Sequence, residues 1–140
     1  MIIQKEFKNS EGKNSSPKIL IIDDEAPVAG VLSRKLKEHG FQVWNAYNVG
    51  EALFWAEEEQ FDVILVDLIL PGVSGYSIIN YLKEKTHSSI FAMTGYATEN
   101  TIRDVELLGA QGLLIKPFDM GDFIQRIIIS SSPRIKNFLA

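Results

Sequence analysis

Five polar residues in this sequence follow short apolar runs, and their types suit metal and phosphoryl chemistry. Asp23 and Asp24 come directly after Lys18-Ile-Leu-Ile-Ile22, and Asp67 follows Val63-Ile-Leu-Val66. Thr94 and Gly95 follow Ile90-Phe-Ala-Met93, and Lys116, with Pro117 behind it, follows Gly112-Leu-Leu-Ile115. Carboxylates gathered in one pocket repel one another and raise each other's pKa. A hard divalent cation relieves that repulsion, and an all-oxygen donor set with an octahedral preference suits Mg²⁺. One carboxylate of such a group can also serve as a nucleophile and become an aspartyl-phosphate. The oxygens of a transferred phosphoryl group then call for a metal, an ammonium and a hydroxyl, and Lys116 and Thr94 supply the last two. Any one of these residues alone is ordinary loop chemistry at the end of a strand. The weight lies in their occurring together in one frame.

That frame is read from the periodicity. The four runs above and Phe41-Gln-Val-Trp44 are short and apolar, three of the five almost continuously so, as in strands buried on both faces. Helical spacing lies between and after them. Val28, Leu32 and Leu36 form one stripe, and Val49, Ala52, Leu53 and Ala56 a second. Ile78, Ile79 and Leu82 mark a third helix, Ile102, Val105 and Leu108 a fourth, and Phe123, Ile124, Ile127 and Ile128 a fifth. His39-Gly40 and Leu108-Gly109 are helix stops, and Ser-Ser-Ser-Pro ends the last helix. The result is an α/β fold with β-α repeated five times, a parallel sheet covered on both faces. In open sheets of this kind ligands bind beyond the carboxyl ends of the strands. The second run ends in Asn45-Ala46-Tyr47, with neither acid nor cation. The order 2-1-3-4-5 accounts for this, because it sends the second strand to an edge and gathers the ends of the other four.

Composition narrows the function classes. The chain has 140 residues, 46% of them apolar, enough for one domain with a single core. Its net charge is −4 and its basic residues are scattered, which argues against a nucleic-acid surface. It has no cysteine, hence no thiol nucleophile and no Cys-based zinc site. No apolar run approaches the ~20 residues that span a bilayer, and the first 17 residues lack the apolar centre of a signal peptide. The expectation is a cytoplasmic protein with a polar tail over residues 1–16, a domain over 17–132, and a C-terminal extension or linker stub over 133–140. His39 suits a helix end, Glu57-Glu58-Glu59 a solvated one, and Trp44 and Trp55 read as packing residues.

The motifs resemble the receiver domain of two-component response regulators, of the chemotaxis-regulator type. The resemblance is carried by Ile-Leu-Ile-Ile-Asp23-Asp24-Glu25, Asp67-Leu-Ile-Leu-Pro71-Gly72-Val-Ser-Gly75, Met93-Thr94-Gly95-Tyr96, and Gly109-Ala110 followed by Lys116-Pro117-Phe118. It extends from about Lys18 to about Ser130. It implies a flavodoxin-like doubly wound fold and a signalling domain rather than an enzyme. Asp67 would accept a phosphoryl group from a sensor histidine kinase or a histidine phosphotransfer protein. Asp24 would bind Mg²⁺ directly, Asp23 through water, and Ile69 through its backbone carbonyl. Thr94 would turn toward the phosphoryl group, Lys116 would pair with it, and the Lys116–Pro117 bond would be cis. Output would be a downstream protein target or a self-dimer through the face made by the fourth helix, fifth strand and fifth helix.

One position departs from the family pattern. Members usually carry Tyr or Phe three residues before the lysine, and Leu113 stands there. Leu113 and Leu107 are expected to form an apolar patch on that output face. Ile69 and Tyr96 follow the Asp and the Thr by two positions and are expected to flank the phosphoryl group and slow its hydrolysis. Three alternatives fit less well. An aspartate-nucleophile phosphatase of the haloacid-dehalogenase type wants Asp-x-Asp after the first strand. A flavodoxin-like cofactor binder wants a Ser/Thr/Gly-rich phosphate loop there. A receiver cut from a longer DNA-binding regulator would leave its output domain elsewhere, since no helix-turn-helix follows residue 130.

Overall fold

The computed structural model describes residues 16–130 together with Ile135 and Phe138. The expected 1–16 tail, apart from Ser16, lies outside the described residues, as does most of the 133–140 extension. Five parallel strands form the sheet: β1 (Lys18–Ile22), β2 (Gln42–Ala46), β3 (Val63–Asp67), β6 (Ser89–Thr94) and β7 (Gly112–Ile115). Their order is β2-β1-β3-β6-β7. This is the expected 2-1-3-4-5 arrangement. The numbering differs only because a two-stranded antiparallel hairpin, β4 (Ile69–Leu70) and β5 (Val73–Ser74), sits between β3 and the next helix. Gly72 supplies the turn with φ of 77°, a conformation open to glycine at little cost.

The helices are α1 (Ala26–Glu38), α2 (Val49–Glu58), α3 (Gly75–Lys85), α4 (Glu99–Leu107) and α5 (Met120–Ser130). Three start on side-chain caps: Asn48 accepts from the Glu51 N–H, Ser74 from the Tyr76 N–H, and Thr98 and Thr101 cap reciprocally. Strand side chains alternate between two cores. Leu20, Ile22, Ile64, Val66, Ile90 and Leu113 pack with residues of α2, α3 and α4, while Ile19, Ile21, Leu65, Phe91 and Met93 pack with residues of α1 and α5. A strand between two such layers must be apolar at every position, which is why the runs read as continuous.

Two helical stripes are rotated from the expected ones. In α1 the buried residues are Ala29, Ser33 and Leu36, and Val28 is half exposed; in α4 only Val105 is buried, and Ile102 is half exposed. Ile135 is buried in the α1/α5 core, and the Phe138 ring lies 5.9 Å from that of Phe41. The described part of the C-terminal extension therefore packs on the domain.

Candidate functional site

Register brings the reactive residues to one end of the sheet. Asp67 pairs with Met93 across β3 and β6, and Thr94 pairs with Ile115 across β6 and β7, so Lys116 lies one step beyond. Backbone bonds continue past the strand ends: Asp23 N–H to the Ala46 carbonyl at 3.0 Å, Leu68 N–H to Met93 at 2.9 Å, and Lys116 N–H to Thr94 at 2.8 Å. These bonds hold the four loops in fixed relation, so side chains distant in sequence meet without needing loop order of their own.

The centre is an ion-pair triad. Lys116 Nζ donates to Asp23 Oδ2 at 2.7 Å and to Asp67 Oδ2 at 2.8 Å. The second oxygen of each aspartate is also occupied: Asp23 Oδ1 accepts from the Glu25 N–H at 3.0 Å, and Asp67 Oδ1 from the Ile69 N–H at 2.9 Å. Both aspartates are buried. Burial is the largest influence on Asp67 and holds its carboxyl above the usual range, against the Lys116 and Ile69 hydrogen bonds. Burial also pulls the Lys116 ammonium down. Its hydrogen bonds and charge pairing with Asp23 and Asp67 outweigh this, so its pKa is raised and it remains a cation. The Lys116–Pro117 bond is cis.

The remaining residues surround this centre. Asp24 is exposed at the rim of a 490 Å³ cavity whose walls include Asp67, Ile69, Gly95 and Lys116. Thr94 is buried, and its hydroxyl donates to the Tyr96 carbonyl at 3.0 Å, within its own loop. Ile69 and Tyr96 stand out at the surface, 73% and 78% exposed. Leu113 is 5% exposed and sits in the core with Leu82, Val105 and Ala110. The expected Leu107–Leu113 surface patch is therefore not formed. A side chain at position 113 alternates with its strand neighbours and points under α4, whereas Leu107 is 78% exposed.

The donor set fits a hard divalent cation. Carboxylate oxygens of Asp23, Glu25 and Asp67 lie within 4.8 Å of one another. With Asp24 at the rim, the acids outnumber the single ammonium of Lys116, and a divalent ion restores the balance. Glu25 has no site role in the sequence reading. The available signal was its place just before a helix with Pro27 in its first turn, which fixes the backbone but not the direction of the side chain.

Comparison with known proteins adds independent findings. Residues 19–128 match the family model described as the response regulator receiver domain. A response regulator protein from Burkholderia pseudomallei, solved with a phosphorylated aspartic acid and a calcium ion, is 33% identical; the match covers 88% of this chain and 71% of that one, with a TM-score of 0.75. A receiver domain protein from Methanospirillum hungatei is 26% identical over 88% of this chain and 99% of that one, with a TM-score of 0.79. The response regulator TrrA of Thermotoga maritima, solved in complex with Mg(2+)-BeF, is 25% identical over 79% of this chain and 96% of that one, with a TM-score of 0.71.

Proposed function

The chain belongs to the response regulator receiver domain family, and from that premise we propose that it is a switch turned by phosphorylation of Asp67. The observation that carries the reading is the Asp23–Lys116–Asp67 triad, which holds a buried carboxylate with raised pKa beside a permanent cation. The donor is a phosphohistidine on a sensor histidine kinase or a histidine phosphotransfer protein. An Asp67 oxygen attacks phosphorus, the N–P bond breaks as the O–P bond forms, and the imidazole nitrogen leaves with its electron pair.

Asp23, Asp24, Asp67 and the Ile69 carbonyl are the residues that would hold Mg²⁺. When bound, the ion neutralises charge on the incoming phosphoryl oxygens. Lys116 pairs with one of those oxygens in place of the carboxylate it holds at rest. Thr94 leaves the Tyr96 carbonyl and donates its hydroxyl to another, while Gly95 adds no side chain to the approach. The exposed side chains of Ile69 and Tyr96 would flank the phosphoryl group and restrict the water that hydrolyses the acyl phosphate.

The domain proper is placed at 17–132, in the cytoplasm, as a signalling module rather than an enzyme. Output passes through the α4–β7–α5 face to a protein target or a second copy. That face carries the exposed Leu107 and Ile115 but not the usual aromatic. The described residues contain no helix long and apolar enough to cross a membrane.

The test is intact-mass measurement after incubation with Mg²⁺ and acetyl phosphate. The expected result is a single phosphoryl adduct that is absent from Asp67→Ala. No adduct on the parent, or an equal one on the variant, overturns the proposal. Followed in time after removal of the donor, the adduct is expected to decay several-fold faster in Tyr96→Ala; an unchanged or slower decay removes the shielding role of Tyr96.

A further inference from the structure

We propose that a second copy of this chain docks along the free edge of β2, with Phe54 of each copy entering a hollow between α1 and β2 of the other. Strand β2 ends the sheet order and, among the described residues, pairs only with β1. On one side of it α2 is anchored by buried Ala52 and by Trp55, whose ring lies 6.5 Å from that of Trp44. The opposite face of α2 carries Phe54, 55% exposed, with exposed Glu51, Glu57 and Glu58 around it at i−3, i+3 and i+4. Among the described residues neither Glu57 nor Glu58 has a cationic partner, and acids in the last turn oppose the helix dipole. An aromatic ring among acids suits a hollowed, cationic surface, and it repels nucleic acid and anionic lipid.

Such a surface lies on the other side of β2. A hollow of 510 Å³ between α1 and β2 is lined by Gly30, Ser33, Arg34, Lys37, Glu38 and Asn45. An apolar cavity of roughly 150 Å³ already holds a benzene ring, so a phenyl group has room. Nothing lies within 4 Å of where a Cβ on Gly30 would stand, which leaves the entrance open. Arg34 and Lys37 are exposed and, among the described residues, have no carboxylate partner. Heights along the strand also match. Ile22 and Ala46 pair at the strand ends, and α1 and α2 start shortly after them. Gly30 and Arg34 stand four and eight residues into α1, and Phe54 and Glu58 five and nine residues into α2. At ~1.5 Å per residue, Phe54 is level with Gly30 and Glu58 with Arg34 to within about one residue's rise. A twofold axis along β2 carries α2 of each copy beside α1 of the other, so both contacts form together and the pair closes. Arg34 then stacks on the Phe54 ring, and Glu57 and Glu58 face Arg34 and Lys37. This edge is the opposite end of the sheet from β7 and the α4–β7–α5 face.

The test is sedimentation of the full chain over micromolar to millimolar concentrations, where the parent is expected to reach a dimer. Reversing the charges on either side, by Glu57→Lys with Glu58→Lys or by Arg34→Glu with Lys37→Glu, is expected to weaken the dimer about tenfold. Phe54→Ser is expected to weaken it similarly, and an equimolar mixture of the two reversed chains to restore it. The two reversals shift net charge in opposite directions, so a general charge effect would move them apart rather than together. Leu107→Asp, on the α4–β7–α5 face, is expected to leave the dimer intact. All the replaced side chains are exposed, and unfolding midpoints check that each variant retains the fold. A parent that stays monomeric or grows past a dimer overturns the inference. So does a dimer that survives the reversals, is not restored by the mixture, or is lost in Leu107→Asp.

Discussion

Asp67 carries a cost that the metal-free protein bears at rest. Its carboxyl is held above the usual range, chiefly by burial, and Lys116 and the Ile69 N–H offset only part of that. A folded-state pKa above the unfolded one means the folded protein binds the proton more tightly. The contribution of Asp67 to stability is then lost as pH rises through the interval between the two values. At neutral pH the ionised carboxylate is a net penalty. Asp67→Asn is therefore expected to raise the unfolding midpoint measured in EDTA. The difference should shrink as pH falls toward 4. A lower midpoint for Asp67→Asn at neutral pH would mean that the ion pair with Lys116 outweighs the burial. The identity of these charged residues was plain in the chain, because acids and a lysine directly after buried strands stand out. Their directions were not: Glu25 turns inward and Asp24 stays at the rim, and adjacent residues of one loop give no sign of which will do so.

At the scale of elements, α3 is set against the end of β3 by one glycine. A Cβ on Gly75 would come 2.5 Å from the Leu68 Cα and 2.6 Å from the Asp67 carbonyl oxygen, both backbone atoms that cannot rotate away. Gly75→Ala is expected to cost about 1–3 kcal/mol in urea unfolding and to reduce the yield of the phosphoryl adduct, since the Asp67–Leu68 segment must shift. Full adduct at parental stability would show that the helix start moves freely instead. The Ser74 cap and the following helix were readable from local sequence. The close approach was not, because it depends on where β3 ends relative to α3. Leu113 makes the same point in reverse. Its place three residues before Lys116 was evident, yet its burial follows from strand alternation beneath α4, and so it belongs to the core rather than to a binding face.

For the molecule as a whole, the C-terminal segment completes the α1/α5 core. Ile135 is buried and Phe138 packs on Phe41, although both lie beyond the 19–128 stretch shared with the family. A chain ending at Ser130 is expected to lose about 2–4 kcal/mol, the usual cost of removing a buried aliphatic side chain, and denaturant unfolding measures it; parental stability would mean that these contacts add nothing. Local sequence by itself determined the alternation of strands and helices, the strand order and the set of chemical groups. Apolar runs, caps and strand-end residues are written into consecutive positions, and the layered architecture follows from burying them. Only the tertiary structure decided which carboxylates converge on Lys116, that Thr94 rests on the Tyr96 carbonyl, that Leu113 is covered, and that Ile135 belongs to the core. Those outcomes depend on register and on side-chain direction between segments far apart in the chain, and no local pattern encodes them.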